Sequence, residues 1–561
     1  MSLEQHSSSP SSIPTVTYAE VRAALLARQE IALLDVREEA PHAQAHPLFA
    51  ANFPYSHLEL NAYNRLPRRD VRIVTLDDGE GLAVRAALRL RALGYTRVGV
   101  LAGGVRGWRE AGGELFQDVN VPSKSFGELV EARRHTPSLS AQEVKALLDS
   151  DADLVVVDAR RFDEYQNMNI PGSISVPGAE LVLRLPAIAP DPRTQVIVNC
   201  AGRTRSIIGT QSLVNAGIAN PVHALRNGTI GWTLAGQTLE HGQQRRFPEQ
   251  IDAQQQQQVR RQAREVADRA GVKRISLARL AELEQPDRTL YRFDVRTPEQ
   301  YRAGHLPGFL SAPGGQLVQE TEMNAPVRGA RIVLADDEGV RADMTASWLA
   351  QMAWEVYVVD GATAADFSVS GESPRETPVA AVTPQQRISA QQLKTWIDAD
   401  NGTVVIDVAL SARYVAGHIP GAWFVLRSDI TAVARRFPAA SRFVLTCGSA
   451  LLAQFAVSDL QALVTQPVYL LDGGNAAWQQ AGLPLESGEA HLLSPRIDPL
   501  SPSLRGHRQR YRSHAGLPGL GVRPGGAAGA GRHAWLLRDL IRKGPGHHRR
   551  FLATVTFLSQ E

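Results

Sequence analysis

The stretch Val196-Ile-Val-Asn-Cys200-Ala-Gly-Arg-Thr-Arg-Ser206 is an apolar, β-branched run that ends on a cysteine and turns through a glycine and two arginines into the helical pattern Ile207 to Ala216. It reads as strand, tight loop and helix N-terminus. Such a loop suits an anion, because the first N–H groups of a helix lack intrahelical acceptors and lie at the positive end of its dipole. Arg203 and Arg205 add mobile positive charge. The chemistry expected is a thiolate at Cys200, stabilised by its surroundings, meeting an anionic substrate.

The same grammar recurs along the chain. Four segments carry an apolar strand ending in aspartate: Ala-Leu-Leu-Asp35-Val-Arg37, Val-Val-Val-Asp158-Ala-Arg160, Tyr-Arg-Phe-Asp294-Val-Arg296 and Val-Val-Ile-Asp407-Val-Ala409. A second apolar strand follows in each, ending at Asp77, Cys200, Asp336 or Cys447, at separations of 42, 42, 42 and 40 residues. One unit has been copied four times. A third landmark is a strand entering a glycine turn and then usually a tryptophan, as in Leu101 to Trp108, Leu225 to Trp232 and Leu471 to Trp478, with a weaker version from Val359 to Phe367. Strands alternating with helical stretches (Tyr18 to Arg28, Ser140 to Leu148, Ser276 to Leu283, Ser389 to Ile397) argue for α/β units with mostly parallel sheets flanked by helices.

The loop Cys200-Ala-Gly-Arg-Thr-Arg-Ser206 resembles the active-site loop of the rhodanese family, as do the Pro-Gly turns Asn169-Ile-Pro-Gly172, Gly304-His-Leu-Pro-Gly308 and Gly417-His-Ile-Pro-Gly421. The resemblance implies a rhodanese-like sulfurtransferase with four tandem homology domains, in which a cysteine accepts sulfane sulfur as a persulfide. The expected domains are 14–118, 136–245, 273–368 and 385–488, with a helical linker over 250–272 and an irregular basic tail over 499–561. His305 and His418 are expected to pack in their turns, without a chemical role.

Only the second copy carries the whole set. Cys200 is the expected nucleophile, and the segment Ala201, Gly202, Arg203, Thr204 and Arg205 the substrate-binding loop, its N–H groups stabilising thiolate and persulfide. Arg203 and Arg205 are expected to hold the sulfonate end of thiosulfate or a similar donor. Asp158, Arg160 and Ser206 are supporting residues, the first two as a polar pair, since buried charges need partners. The first and third copies place Asp77 and Asp336 where the cysteine belongs and are expected to be silent, because a carboxylate cannot carry sulfane sulfur. The fourth keeps Cys447 but follows it with Gly-Ser-Ala-Leu-Leu452, which lacks arginine, so Cys447 is a secondary thiol.

Composition narrows the field. The net charge of +3, with much of the basic excess after Leu493, gives no reason to expect nucleic-acid binding. Two cysteines in equivalent places of separate repeats exclude a cysteine-based zinc site, and the adjacent acids at Asp77 and Asp336 lack companion ligands, so neither metal nor cofactor is expected. The polar N-terminus, Met1 to Pro14, and the absence of a long apolar run point to a cytoplasmic enzyme without membrane partners.

The expected reaction moves sulfane sulfur from a small anionic donor through Cys200 to cyanide, a thiol or a protein acceptor. Two alternatives remain open: a phosphatase or arsenate reductase on the same fold, whose loop is one residue longer than the spacing from Cys200 to Arg205, and a partner-binding or sensor protein.

The tail obeys a different grammar. Gly, Arg, Pro and His dominate Ser501 to Arg550 without amphipathic period. Pro499 to Gly506 can be encoded by codons that, read one base later, give Arg-Tyr-Arg-Arg-Pro-Tyr-Glu-Gly, and His514 to Leu540 by codons that then give MQAYLDWEFGLVAQLERDGTHGFFVI and a stop. The second peptide has the period of an amphipathic helix. A frameshift near Asp498 is therefore expected.

Overall fold

The computed structural model describes residues 13–498 except 375 and 400. The expected frameshifted tail lies outside the described residues. Within them the chain forms two compact units, one holding the first and fourth copies and the other the second and third.

The second copy shows the plan. Its strands are β1 (Ser138–Leu139), β2 (Leu154–Asp158), β3 (Ile174–Ser175), β4 (Gln195–Asn199) and β5 (Val222–Leu225). They pair in parallel in the order β1-β5-β4-β2-β3, with Val157 opposite Val198 and Ala224 opposite Val198 on the other side. A parallel sheet is covered on both faces, which explains why Val196-Ile-Val198 is buried throughout rather than alternating. One face packs Val144, Ile170, Ile197 and Trp232; the other packs Leu181, Leu185, Val198 and Leu213. The helices are α1 (Ala141–Asp149), α2 (Phe162–Asn167), α3 (Leu181–Ile188), α4 (Thr204–Asn215) and α5 (Gly228–Leu234). The other three copies repeat the strand order with their own five strands.

Helix α4 begins at Thr204, three residues before the sequence pattern sets in, because its first turn belongs to the cysteine loop. It lies close to its neighbours because Gly209 has no side chain: a Cβ there would come within 2.6 Å of Leu181. The expected helix after Ser140 is present, with a capping box in which Ser140 accepts from the Glu143 N–H and Glu143 accepts from the Ser140 N–H. Ser276 makes no such side-chain bond, and Leu277–Leu283 is a 3₁₀ helix instead of the expected α-helix. Pro286 lies just beyond and disfavours helical backbone at Gln285, leaving a short run with little to extend.

The Gln-rich linker is the helix α6 (Ala253–Arg269), capped by Asp252, whose side chain accepts from the N–H groups of Gln254 and Gln255. It is less solvated than its composition suggests. Val259, Ala263, Val266 and Ala267, spaced along one face, are buried, and Val259, Ala263 and Val266 join a core that contains Leu185 of the second copy and Met344 of the third. His305 and His418 each sit on the Tyr four residues earlier, ring centroids 3.9 and 3.8 Å apart, with Nδ1 directed at that tyrosine's carbonyl. Among the described residues no helix is long and apolar enough to cross a membrane.

Candidate active site

Cys200 follows the last residue of β4 and is buried, with its Sγ 3.4 Å from the Ser206 hydroxyl, which in turn donates to the Arg203 carbonyl at 2.9 Å. The backbone of the loop is clamped from the glycine turn before α5. The Thr229 N–H donates to the Cys200 carbonyl at 2.9 Å and the Ile230 N–H to the Ala201 carbonyl at 3.1 Å. Close approach requires Gly228, whose φ is +53° and whose absent Cβ would lie 2.1 Å from the Cys200 carbonyl oxygen. Gly104 and Gly474 stand in the same relation to Asp77 and Cys447, at 2.2 and 2.1 Å. The third sequence landmark is thus a clamp on the loop.

Below the loop, Arg160 grips Asp158 with two hydrogen bonds of 2.9 and 2.7 Å, and its Nη2 also donates to the Met168 carbonyl. Asn199 Nδ2 donates to the same carboxylate at 2.8 Å, tying the residue before Cys200 to the pair. Both charges are buried and neutralise each other, as their position demands.

The two loop arginines do not project freely. Arg205 makes a fork with Glu164 of α2, at 2.7 and 2.9 Å, and Arg203 pairs with Glu131. Burial works against the charge on Glu164, but Arg205 outweighs it and holds the carboxyl down to about 2. Burial likewise opposes the Arg205 charge, and Glu164, with smaller contributions from Cys200 and Asp158, raises its pKa above the ordinary arginine value. Sequence reasoning passed over Glu164, Glu131 and Asn199 as loop partners. The signal for Glu164 was its place in Asp163-Glu-Tyr165, on the helix that starts just after Arg160; Glu131 lies in the helix Val121–Arg134, which precedes the repeat, and left no signal.

The other copies show what the loop does with an anion. In the third, the Asp336 carboxylate accepts from the N–H groups of Gly339, Val340 and Arg341 at 3.1, 3.1 and 3.0 Å. In the first, Asp77 accepts from Gly79 and Ala83 at 3.1 and 2.9 Å. The carboxylate takes the place of the thiol and is met by backbone donors at a helix start. Arg341 follows Asp336 at the spacing of Arg205 after Cys200, a parallel the sequence reading missed. It bonds Gln300 at 2.7 Å, Asp337 at 2.6 Å and Glu180 of the second copy at 2.9 Å.

In the fourth copy the Cys447 thiol is pushed up from the ordinary cysteine value by burial, with the N–H groups of Ala453, Ser449 and Leu452 acting the other way. Ala409 stands where the other copies have arginine. Asp407, left with Asn475 Nδ2 at 2.7 Å and the Ala409 N–H at 2.8 Å, is driven by burial up to about 6. Beside α4, Thr204 and Arg205 line a small, solvent-open cleft whose far wall includes Val318, Met344 and Trp348 of the third copy. Among the described residues no group of His, Cys, Asp or Glu is arranged to hold a metal.

A buried residue at the end of a parallel strand, a cysteine in two copies and an aspartate in the other two, with a loop and a helix start above it, defines one α/β domain, present here in four copies. The Rhodanese-like domain profile matches residues 17–111, 140–235, 277–365 and 389–481. The chain belongs to the rhodanese-like family and is an enzyme of the rhodanese type. A crystal structure of a thiosulfate sulfurtransferase from Pseudomonas aeruginosa is 63% identical, with a TM-score of 0.85, over 87% of this chain and 92% of that one. A putative sulfur carrier protein, YrkF, from Bacillus subtilis is 25% identical over 22% of this chain and 64% of its own length. An uncharacterised 16.5 kDa protein from Synechococcus elongatus is 50% identical over 8% of this chain and 31% of its own. The chain therefore spans between about a third and two thirds of these two curated relatives.

Proposed function

We propose that the second copy is the catalytic domain of a sulfurtransferase that takes sulfane sulfur from thiosulfate or a similar anionic donor. The Cys200 thiolate attacks the outer sulfur of the donor; the donor's S–S bond breaks, sulfite leaves with the electron pair, and Cys200 carries the sulfur as a persulfide. An acceptor nucleophile, cyanide or a thiolate, then attacks the outer sulfur and the Cys200 thiolate departs. Thiocyanate or a new persulfide is released, and the electrons balance without a cofactor.

The observation that carries this reading is the pair of carboxylates in the silent loops. They support the view that N–H groups of Gly202 to Ser206 would meet a negatively charged sulfur on Cys200, as the equivalent donors meet Asp336 and Asp77. Arg203 and Arg205 would offer the donor a positive field, their acid partners keeping them in place. Arg205 five residues after Cys200, engaged by Glu164, favours sulfur over phosphate, which needs a longer loop and a free arginine. The first and third copies are read as silent and Cys447 as a secondary thiol. Incubation with thiosulfate followed by peptide mass spectrometry should show a gain of about 32 Da on the Cys200 peptide. A gain on the Cys447 peptide alone would refute the assignment.

A further inference from the structure

The helix Val121–Arg134 lies between the first two repeats, yet it is built onto the loop of the second. Its buried face includes Val121, Phe126, Gly127 and Val130. Gly127 lets it close on the start of α4, since a Cβ there would lie 3.2 Å from Thr204 Cγ2. Beyond its end, Thr136 Oγ1 donates to Gln211 Oε1 at 2.7 Å, further along α4. The other side of the helix is held by the third copy: Ser123 Oγ donates to the Gln319 carbonyl at 2.8 Å, and Phe126 meets Trp348 edge-on with ring centroids 6.1 Å apart. Glu131, one turn after Gly127 and on the same face, therefore reaches the loop from a fixed support. Its carboxylate accepts from Arg203 Nη2.

The two loop arginines are held differently. The Arg205 side chain is 10% exposed and bonds both oxygens of Glu164. The Arg203 side chain is 42% exposed and bonds one oxygen of Glu131, itself 25% exposed. A two-point fork away from water is a fixed part of the site, whereas a one-point pair open to water is weak and exchanges its partner at little cost. The third copy repeats the device with the charges reversed. The helix that leads into it, α6, brings Arg260 beside Gly339, where a Cβ would lie 2.8 Å from Arg260 Nε. Gly339 stands three residues after Asp336, as Arg203 does after Cys200. An acidic loop, Asp336-Asp-Glu338, is met by a cation, and a loop with two arginines is met by an acid.

We propose that Glu131 is a specificity-determining residue of the second copy, a built-in competitor for Arg203 that an anionic sulfur donor displaces and an uncharged donor leaves in place. The proposal rests on Cys200 being the sulfur carrier. A donor with a sulfonate end exchanges one ion pair for another: Arg203 turns from Glu131 to the donor, and the Glu131 carboxylate returns to water. An uncharged donor leaves the pair closed. Opening the pair weighs on donor binding and not on the attack by the thiolate, so Glu131 sets the donor concentration the site needs. Arg205, fixed by Glu164, supplies a constant field, and Arg203 is the exchangeable contact.

Full-length protein carrying Glu131→Gln, Arg203→Gln or both decides it in two assays. In a Cys200→Ser background, which cannot turn over, thiosulfate binding is measured by calorimetry. Glu131→Gln should tighten it about two- to fivefold, the worth of an exposed ion pair, and should have no effect once Arg203→Gln is present. With Cys200 intact, Glu131→Gln should lower KM for thiosulfate by a similar factor and leave KM for an uncharged alkyl persulfide where it was. Thiosulfate binding that is undetectable, unchanged or weaker in Glu131→Gln, or tightened equally with and without Arg203, overturns the proposal. The two claims fail separately: a Cys200 peptide that gains no sulfur refutes the carrier, while binding in the Cys200→Ser background still decides the role of Glu131.

Discussion

Arg205 is already engaged by Glu164, and that changes what its removal should do. Arg205→Ala would lose a charge-assisted contact to an anionic donor, about 1.5–3 kcal/mol, and would also leave Glu164 half-buried without its partner. The loss of activity should be larger with thiosulfate than with a neutral persulfide donor, and equal loss with both would mean that the loop has collapsed. Because the Glu164 carboxyl is held at about 2, well below its ordinary value, the pair contributes its full stability above the unfolded carboxylate pKa and loses it progressively as pH falls from there through about 2. An acidic limb of the rate profile near pH 5 would therefore belong to another group.

The loop and its clamp form the next scale. Gly228→Ala should be severely damaging, because the added Cβ would sit 2.1 Å from the Cys200 carbonyl and the backbone is left-handed. Persulfide formation should fall together with the thermal midpoint, whereas Gly202→Ala, with nothing within 4 Å of its Cβ, should leave both nearly unchanged. In the fourth copy, Asp407 has a folded pKa of about 6, above its unfolded value of 3.8. A raised carboxyl binds more protons in the native state, so its contribution makes the protein less stable as pH climbs from about 4 to about 6. Ala409→Arg would supply the fork that Asp158 has in the second copy. Its gain in thermal midpoint over the parent should be greater at pH 7 than at pH 4.5, and an equal gain at both would contradict the account.

Much at this scale was legible in the chain itself. The strand-to-cysteine loop, the fourfold repeat and the glycine turns follow from local composition, because parallel strands and tight turns admit few residue types. Asp158 and Arg160 are neighbours in sequence and their pairing is local. Glu164 and Glu131 were hidden because partners of an arginine are set by how helices pack, and the burial of α6 because its sparse apolar stripe is outnumbered by glutamines. The role of Arg341 escaped notice because its copy had been set aside on the strength of Asp336.

At the scale of the whole molecule, the second and third copies share a core and a buried charge network centred on Arg341, which touches Glu180, Asp336, Asp337 and Glu338. Removing one partner of such a network costs about 3–5 kcal/mol, since it leaves uncompensated buried charge. Arg341→Ala should therefore destabilise the catalytic copy although it lies in the third, as a lower thermal midpoint and earlier hydrogen exchange in Thr204–Asn215. Unchanged exchange there would show that the third copy does not support the second. On this account the third copy acts as scaffolding for the second copy's loop, which is proposed to carry the sulfur.

The central claim is that Cys200, and no other residue, carries sulfane sulfur in turnover. It is tested most directly by treating the full chain and its Cys200→Ser and Cys447→Ser variants with thiosulfate, then measuring transfer to cyanide alongside the masses of both cysteine peptides. The account predicts a gain of about 32 Da on the Cys200 peptide, lost together with thiocyanate production in Cys200→Ser and nearly unchanged in Cys447→Ser. An active Cys200→Ser variant and a dead Cys447→Ser variant would contradict it.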